Sequence, residues 1–149
     1  MNEEIRVLLV EDDDNDAEML QRILGKAGVP ETVHRLSDGQ AALDFLLGHD
    51  DASRAAAVTV VAGLQLILLD LKLPRVDGLE VLARLRADPL TARIPIVVLT
   101  SSMLPDDVTA SYRAGANSFV VKQVHYESHA ATLREIGSYW LRLNVTPSR

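Results

Sequence analysis

The sequence predicts an α/β protein: a doubly wound five-stranded parallel sheet with helices on both faces. Short apolar segments alternate with segments of helical spacing along the 149 residues, and the apolar segments contain almost no polar residues. Such strands are buried on both faces, and each right-handed crossover between parallel strands needs a covering helix. We therefore expect one domain over residues 5–143, a short tail at 144–149 and no output domain.

Five short segments rich in valine, isoleucine and leucine are the predicted strands. The first, IRVLLV, has one polar residue near its start, and the third, LILLD, is apolar up to its last residue. The five strands are expected at residues 5–10, 32–36, 66–70, 94–100 and 118–122.

Five helices are expected between and after these strands. Asp13 or Asp14 can cap a first helix that begins near Asn15, and Gly28 and Pro30 end it. The other four are a helix that Asp38 caps and that includes residues 41–46, and helices at 78–87, 106–114 and about 126–143.

Residues 48–63, with the sequence GHDDASRAAAVTVVAG, are the irregular part of this pattern. The segment is longer than the usual connection between a helix and a strand. We interpret it as an insertion that extends a helix or projects from the domain, and its alanine run favours helix.

Acidic charge is concentrated at the start of the chain. The formal net charge is −6, but the first 20 residues hold eight acids and one base, so the rest of the chain is nearly neutral. Because there is no basic run, direct binding to nucleic acid is not expected. The longest uncharged segment has 15 residues, too few to span a bilayer, and the acidic start is unlike a signal peptide. We therefore expect a cytoplasmic protein, and its lack of cysteine excludes thiol chemistry.

The polar residues that end the predicted strands form a coherent set. The carboxyl ends of parallel strands share one edge of a sheet, where ligands bind in doubly wound folds. Glu11 and Asp12 follow the first strand, and Asp70, Thr100 and Lys122 end the third, fourth and fifth. Three close carboxylates repel one another, so the set predicts a hard divalent cation, most consistent with Mg²⁺.

A carboxylate beside Mg²⁺ can act as a nucleophile toward a phosphoryl group. A hydroxyl and an ammonium group can then neutralise and hydrogen-bond the equatorial oxygens of that group. The chemistry indicated is the formation of an aspartyl phosphate. Asp13 and Asp14 have a simpler interpretation as a helix cap and a solvated turn, and none of the four histidines shows a metal-ligand spacing.

In these residues the sequence resembles the receiver domain of two-component response regulators, over about residues 5–137. The resemblance implies a flavodoxin-like (βα)5 fold and a partner sensor histidine kinase that supplies the phosphoryl group. It implies that Asp70, in LILLDLKLPRVDG, is the phosphoacceptor. Glu11 and Asp12, in LLVEDD, would hold Mg²⁺ together with Asp70 and the backbone carbonyl of Lys72. A protein of this kind catalyses only its own phosphorylation and dephosphorylation.

The same resemblance assigns roles to residues further along the chain. Thr100, in VVLTSS, and Lys122, in FVVKQ, would contact the phosphoryl group, and Phe119 would be the switch aromatic. Gln123 departs from the family, which usually has a proline after a cis peptide bond there, so we expect a trans bond and altered signalling. Lys72 also departs, because its side chain can overhang the phosphoryl group, which predicts a long-lived phosphoform.

The long segment before the third strand and the ending GSYWLRLN resemble the small response regulators paired with phytochrome-type histidine kinases. That likeness implies a stand-alone receiver whose output passes through partner binding, dimerisation or phosphoryl relay. Apolar residues at 139, 140, 141, 143 and 145 lie on more than one face of the last helix and the tail. They predict a homodimer built on this part of the chain.

Two other classes of function remain open on the residues alone. A haloacid-dehalogenase-type phosphatase also uses a strand-end aspartate, Mg²⁺, a threonine and a lysine, but it needs a second aspartate where this chain has Lys72, and a cap domain. A phosphate-insensitive binding module would keep the fold without the chemistry, and Gln123 leaves that alternative open. Turnover of phosphate would indicate a phosphatase, a stable adduct a receiver, and no reaction a binding module.

Overall fold

The structure, a computed structural model, describes residues 4–26 and 33–147 and contains one parallel sheet of five strands. The strand order is β2-β1-β3-β4-β5, so the chain moves first to one side of β1 and then to the other. The strands are β1 (Val7–Val10), β2 (Val33–Leu36), β3 (Leu66–Leu69), β4 (Ile96–Thr100) and β5 (Ser118–Val121). The predicted doubly wound fold is confirmed.

Six α-helices of the described residues cover the two faces of the sheet. They are α1 (Asp14–Lys26), α2 (Gly39–Leu47), α3 (Asp51–Gly63), α4 (Gly78–Ala87), α5 (Pro105–Ala114) and α6 (Tyr126–Ser138). Asp13 caps α1 by accepting a hydrogen bond from the Asp16 backbone N–H, and Asp38 caps α2 in the same way through Ala41. The predicted stop of α1 at Gly28 and Pro30 lies outside the described residues.

Alternate residues of each central strand point into two separate hydrophobic layers. On β1, Val7 and Leu9 pack with the buried faces of α1 and α6, whereas Leu8 and Val10 pack with α2, α3 and α4. All four residues of β1 are buried, as are all those of β3 and β4. The continuous apolar runs of the sequence therefore reflect strands covered on both faces.

Residues 48–63 form a helix of their own, so the prediction of five helices was one too few. Gly48 ends α2 with a φ of 73°, a left-handed conformation that glycine adopts without strain. Asp50 and Ser53 then form a reciprocal capping box at the start of α3. The segment neither extends α2 nor projects as a loop, because Ala57 and Val61 are buried against the domain.

The last helix ends earlier than the spacing predicted. Regular α-helix stops at Ser138, and Tyr139–Leu143 is one turn of π-helix. A π-turn adds a residue per turn and rotates the following side chains. Trp140 is half-buried, as the buried stripe predicts. Leu143, predicted to continue that stripe, is instead rotated outward and is 69% exposed.

Among the described residues, four strand boundaries differ from the prediction: β1 begins at Val7 rather than Ile5, β3 ends at Leu69 rather than Asp70, and the start of β4 and the end of β5 differ as well. β4 begins at Ile96 rather than Ile94, since Pro95 lacks a backbone N–H and offers only its carbonyl, to Ile67. β5 ends at Val121, although the Lys122 N–H still donates to the Thr100 carbonyl at 2.8 Å. Among the described helices, none has both the length and the apolar composition needed to cross a bilayer.

Candidate functional site at the carboxyl edge of the sheet

The ends of β1 and β3 bring two carboxylates together. Glu11 and Asp70 directly follow neighbouring strands, and their backbone N–H groups continue the ladder by donating to the carbonyls of Leu36 and Val10. Both residues are buried, at 3% and 7% exposure. The backbone of the sheet therefore aims two acidic side chains at one point beyond its edge.

Asp12 completes an acidic trio with Glu11 and Asp70. One carboxylate oxygen from each residue lies within 4.8 Å of the others, and Asp12 is exposed to solvent. Hard oxygen donors with one open side suit a divalent cation that keeps part of its water shell, so the residues present fit such an ion. Lys72 donates its backbone N–H to Asp70 Oδ1 at 3.3 Å, while the proposed use of its carbonyl stays a prediction.

The Lys122 ammonium group binds three carboxylates at once. Its Nζ atom is 2.7 Å from Glu11 Oε2, 2.9 Å from Asp16 Oδ2 and 3.0 Å from Asp70 Oδ2. The sequence placed Lys122 here but did not single out Asp16, which lies in the first turn of α1. The only sequence signal for Asp16 was its membership of the acidic cluster at the start of the chain.

Charge and burial oppose each other at this cluster. Burial raises the pKa of Glu11 to about 7, although its hydrogen bond with Lys122 lowers the pKa, and Asp70 adds to the rise by repulsion. For Lys122, burial lowers the pKa, but the carboxylates around the ammonium outweigh burial and raise the pKa above its usual value. The lysine is therefore charged. Its single positive charge does not balance the carboxylates around it, so a further cation would favour their ionised forms.

Thr100 and Phe119 occupy the positions expected from the strand order. Thr100 is fully buried at the end of β4, where its hydroxyl accepts a hydrogen bond from the Ser102 N–H at 3.4 Å. Phe119 lies on β5, half-buried, and packs against the layer formed with α2, α3 and α4. Phe119 thus has a packing role here, and its part as a switch stays a prediction.

The loop after β5 shows how the chain accommodates Gln123. None of the described peptide bonds is cis, so the Lys122–Gln123 bond is trans, as expected. The Gln123 N–H donates to Nδ1 of His129 at 3.3 Å, a bond that a proline could not make. Burial lowers the pKa of His129, which keeps the imidazole a neutral acceptor. His129 therefore has a structural role in this loop.

A cleft of about 350 Å³ opens beside the acidic trio. Asp12 and the loop after β3, which includes Lys72, Pro74 and Asp77, form one part of its lining, and Asp107 on α5 forms another. The exposed side of the site therefore connects with a recess lined by both signs of charge.

Comparison with known proteins agrees with this architecture and with the strand-end residues. Residues 7–134 match the sequence model of the response regulator receiver domain family. The chain belongs to this family of two-component signalling domains, which accept phosphoryl groups and bind a divalent metal in an acidic pocket. It is a signalling protein with a sensor kinase as partner, and this membership overturns the phosphatase alternative.

Three relatives cover nearly the whole chain. The probable methanogenesis regulatory protein FilR2 of Methanothrix harundinacea is 37% identical over 95% of this chain and 86% of its own length. Response regulator Rcp1 of Synechocystis is 36% identical over 95% of this chain and 92% of its own length. Its Mn²⁺-bound structure gives a TM-score of 0.83 at 36% identity, and the match covers 95% of this chain and 98% of the Rcp1 chain. The structure of the phosphorylated cyanobacterial phytochrome response regulator RcpA gives a TM-score of 0.86 at 34% identity, and the match covers 98% of this chain and 100% of the RcpA chain. The chain is thus similar to phytochrome response regulators.

Proposed function

We propose that Asp70 accepts a phosphoryl group from a sensor histidine kinase, with Mg²⁺ held beside it. The position of Asp70 carries the proposal. Its carboxylate is buried at the edge of the sheet, 3.0 Å from the Lys122 ammonium, and one of its oxygens lies among those that can share a cation. A nucleophile, a cation site and a fixed positive charge are the parts that phosphoryl transfer requires.

In the proposed reaction a carboxylate oxygen of Asp70 attacks phosphorus in a phosphohistidine. The new oxygen–phosphorus bond forms as the phosphorus–nitrogen bond breaks, and the imidazole leaves with the electron pair. Glu11, Asp12, Asp70 and the Lys72 carbonyl would hold the ion, which when bound neutralises phosphoryl oxygens. The open side of the site at Asp12, beside the cleft, leaves room for the donor.

The remaining site residues would receive the transferred group. Lys122 already has its ammonium at Asp70, so it needs only to redirect one N–H to a phosphoryl oxygen. The Thr100 hydroxyl, bonded now only weakly to Ser102 N–H, would turn to a second oxygen. Movement of Thr100 would then free space for the half-buried ring of Phe119, which would carry the signal toward the surface.

Intact-mass spectrometry after incubation with acetyl phosphate and Mg²⁺ tests this proposal. We expect one added phosphoryl group on the wild type, none on Asp70→Asn, and none when EDTA is added before the donor. Asp106→Asn, which changes an exposed carboxylate in the first turn of α5, is the matched control and should react like the wild type. An unmodified wild type would instead favour the phosphate-insensitive binding module.

We further propose that the kinase is of the phytochrome type and that the two proteins meet in the cytoplasm. The likeness to RcpA and Rcp1 over nearly the whole chain supports this partner. Phosphoryl transfer from autophosphorylated phytochrome-type and unrelated histidine kinases, compared at equal concentrations, tests it. Transfer at equal rates from both kinases would contradict the pairing. We expect no direct binding of this chain to nucleic acid, because it has no basic run.

The proposed output includes a homodimer formed through α6 and the segment that follows it. Tyr139, Leu143 and Val145 are 49%, 69% and 88% exposed, an apolar surface that a second copy would cover. Sedimentation equilibrium at tens of micromolar protein should give a dimer that Leu143→Asp weakens. Val58→Asp, which alters an apolar residue 50% exposed on α3, is the control. A monomeric wild type would contradict the dimer and leave partner binding or relay as the output.

A further inference from the structure

The three carboxylates around Lys122 are not equivalent, and Asp16 is the one without a part in the proposed chemistry. Glu11 and Asp70 follow sheet strands and are 4% and 8% exposed in their side chains, whereas the Asp16 side chain, on α1, is 41% exposed. Asp16 also stands outside the trio whose oxygens cluster for a cation. Its contact with Lys122, at 2.9 Å, therefore needs a separate explanation.

The hydrogen-bonding capacity of the lysine provides that explanation. An ammonium group has three N–H donors, and each donor of Lys122 has a carboxylate acceptor. A phosphoryl group on Asp70 adds acceptor oxygens and negative charge at the same place. The N–H that now binds Asp70 can follow to one phosphoryl oxygen, but Lys122 can direct a second N–H to the new oxygens only by giving up Glu11 or Asp16.

Asp16 is the partner whose bond costs least to break. Its carboxylate is already partly hydrated, so water replaces the lost N–H directly. Glu11 is buried, and Lys122 and the Asp13 N–H are the donors that its carboxylate has in the structure. Loss of the lysine would leave Glu11 with an uncompensated buried charge, which is strongly unfavourable.

We propose that Asp16 is a positioning residue that holds Lys122 toward α1 in the unphosphorylated protein and releases it when Asp70 is phosphorylated. This inference rests on the proposed function. Because Asp16 binds the lysine only in the resting state, it competes with the phosphoryl group and weakens the phosphoform. Release of Asp16 would also uncouple the end of β5 from α1, giving the phosphorylated protein a changed contact between these elements.

Binding of beryllofluoride, a stable phosphoryl mimic, measures this competition at equilibrium. In the presence of Mg²⁺ we expect Asp16→Asn to bind beryllofluoride about 3- to 10-fold more tightly than the wild type, because one charge-assisted hydrogen bond of the resting state is gone. Asp16→Glu, which restores the carboxylate, should return the dissociation constant toward the wild-type value. Asp70→Asn should not bind.

Glu18→Gln is the matched control for the loss of one negative charge. Glu18 is exposed on the same helix, two residues from Asp16. The change in the beryllofluoride dissociation constant caused by Glu18→Gln should be small and should disappear at high salt. The change caused by Asp16→Asn should persist, because hydrogen bonds between groups in contact are screened less than interactions between distant charges. Equal shifts in the two variants, or weaker binding by Asp16→Asn, would overturn the inference. If the wild type itself does not bind beryllofluoride, the proposed function fails and the inference fails with it.

Discussion

Replacing Glu11 with glutamine is expected to stabilise the metal-free protein at neutral pH, although it removes one partner of an ion pair. Burial raises the pKa of Glu11 to about 7, since the cost of desolvating the carboxylate, with repulsion from Asp70, exceeds the gain from Lys122 and the Asp13 N–H. In the unfolded chain the carboxyl group has an ordinary pKa, so ionisation of Glu11 makes the free energy of folding less favourable. Glutamine has the shape of the protonated acid without that charge.

The size of the effect follows from the two pKa values of Glu11. The rise from 4.5 to about 7 corresponds to a free energy of unfolding lower by about 3 kcal/mol, at 1.36 kcal/mol per pKa unit. Well below pH 4.5 the group is protonated in both states and the penalty is absent. It grows as the pH rises toward 7 and is complete above that value, so the advantage of Glu11→Gln must follow the same course.

Urea unfolding followed by circular dichroism in EDTA, at about pH 8 and about pH 4.5, measures this dependence. Glu18→Gln, the same change at an exposed position of α1, should alter stability by less than about 0.5 kcal/mol at both pH values. Addition of Mg²⁺ should stabilise the wild type more than Glu11→Gln, because the ion binds the native acidic trio. A variant that is no more stable than the wild type at pH 8, or equally stabilised at both pH values, would refute the argument from burial.

Three further predictions concern the loop after β3 and two arginine contacts. Lys72→Ala should lose the phosphoryl group about 3-fold faster than the wild type in a hydrolysis time course, because the exposed side chain beside the cleft no longer hinders water; slower loss would contradict this. Asp88→Asn should lower the unfolding free energy by about 0.5–1 kcal/mol at pH 7, since its hydrogen bonds with Arg54 hold the pKa of Asp88 below its usual value. Because that pKa is lowered, the loss should fade as the pH falls through it in a series of urea titrations. Arg86→Met should lower the free energy of unfolding, measured by thermal unfolding, by about 3 kcal/mol, because the Arg86 guanidinium donates to four backbone carbonyls and one side-chain oxygen near the starts of β4 and β5. Arg84→Met, at an exposed position of the same helix, is the control and should change the stability little.

The fold was predictable because its signals are local. An apolar run as short as LILL, followed by a polar residue and turn signals, indicates a strand covered on both faces, and the Asp38 cap needs nothing beyond its own helix. The capping box of Asp50 and Ser53 does not by itself separate the helix at 51–63 from an extension of α2, because the separation depends on the turn that the chain makes at Gly48. The π-turn at 139–143 has no comparable local signal in the spacing of its apolar residues.

The sequence by itself also determined most of the candidate site, because parallel strands deliver their carboxyl ends to one edge. Glu11, Asp70 and Lys122 lie at that edge for this reason, and the long side chain of Lys122 reaches from the end of β5 to both carboxylates. The contact between Asp16 and Lys122, 106 residues apart, was decided only by the tertiary structure. Asp16 lies on a helix, and the direction of its side chain depends on how α1 packs across the sheet, which no local pattern of residues specifies.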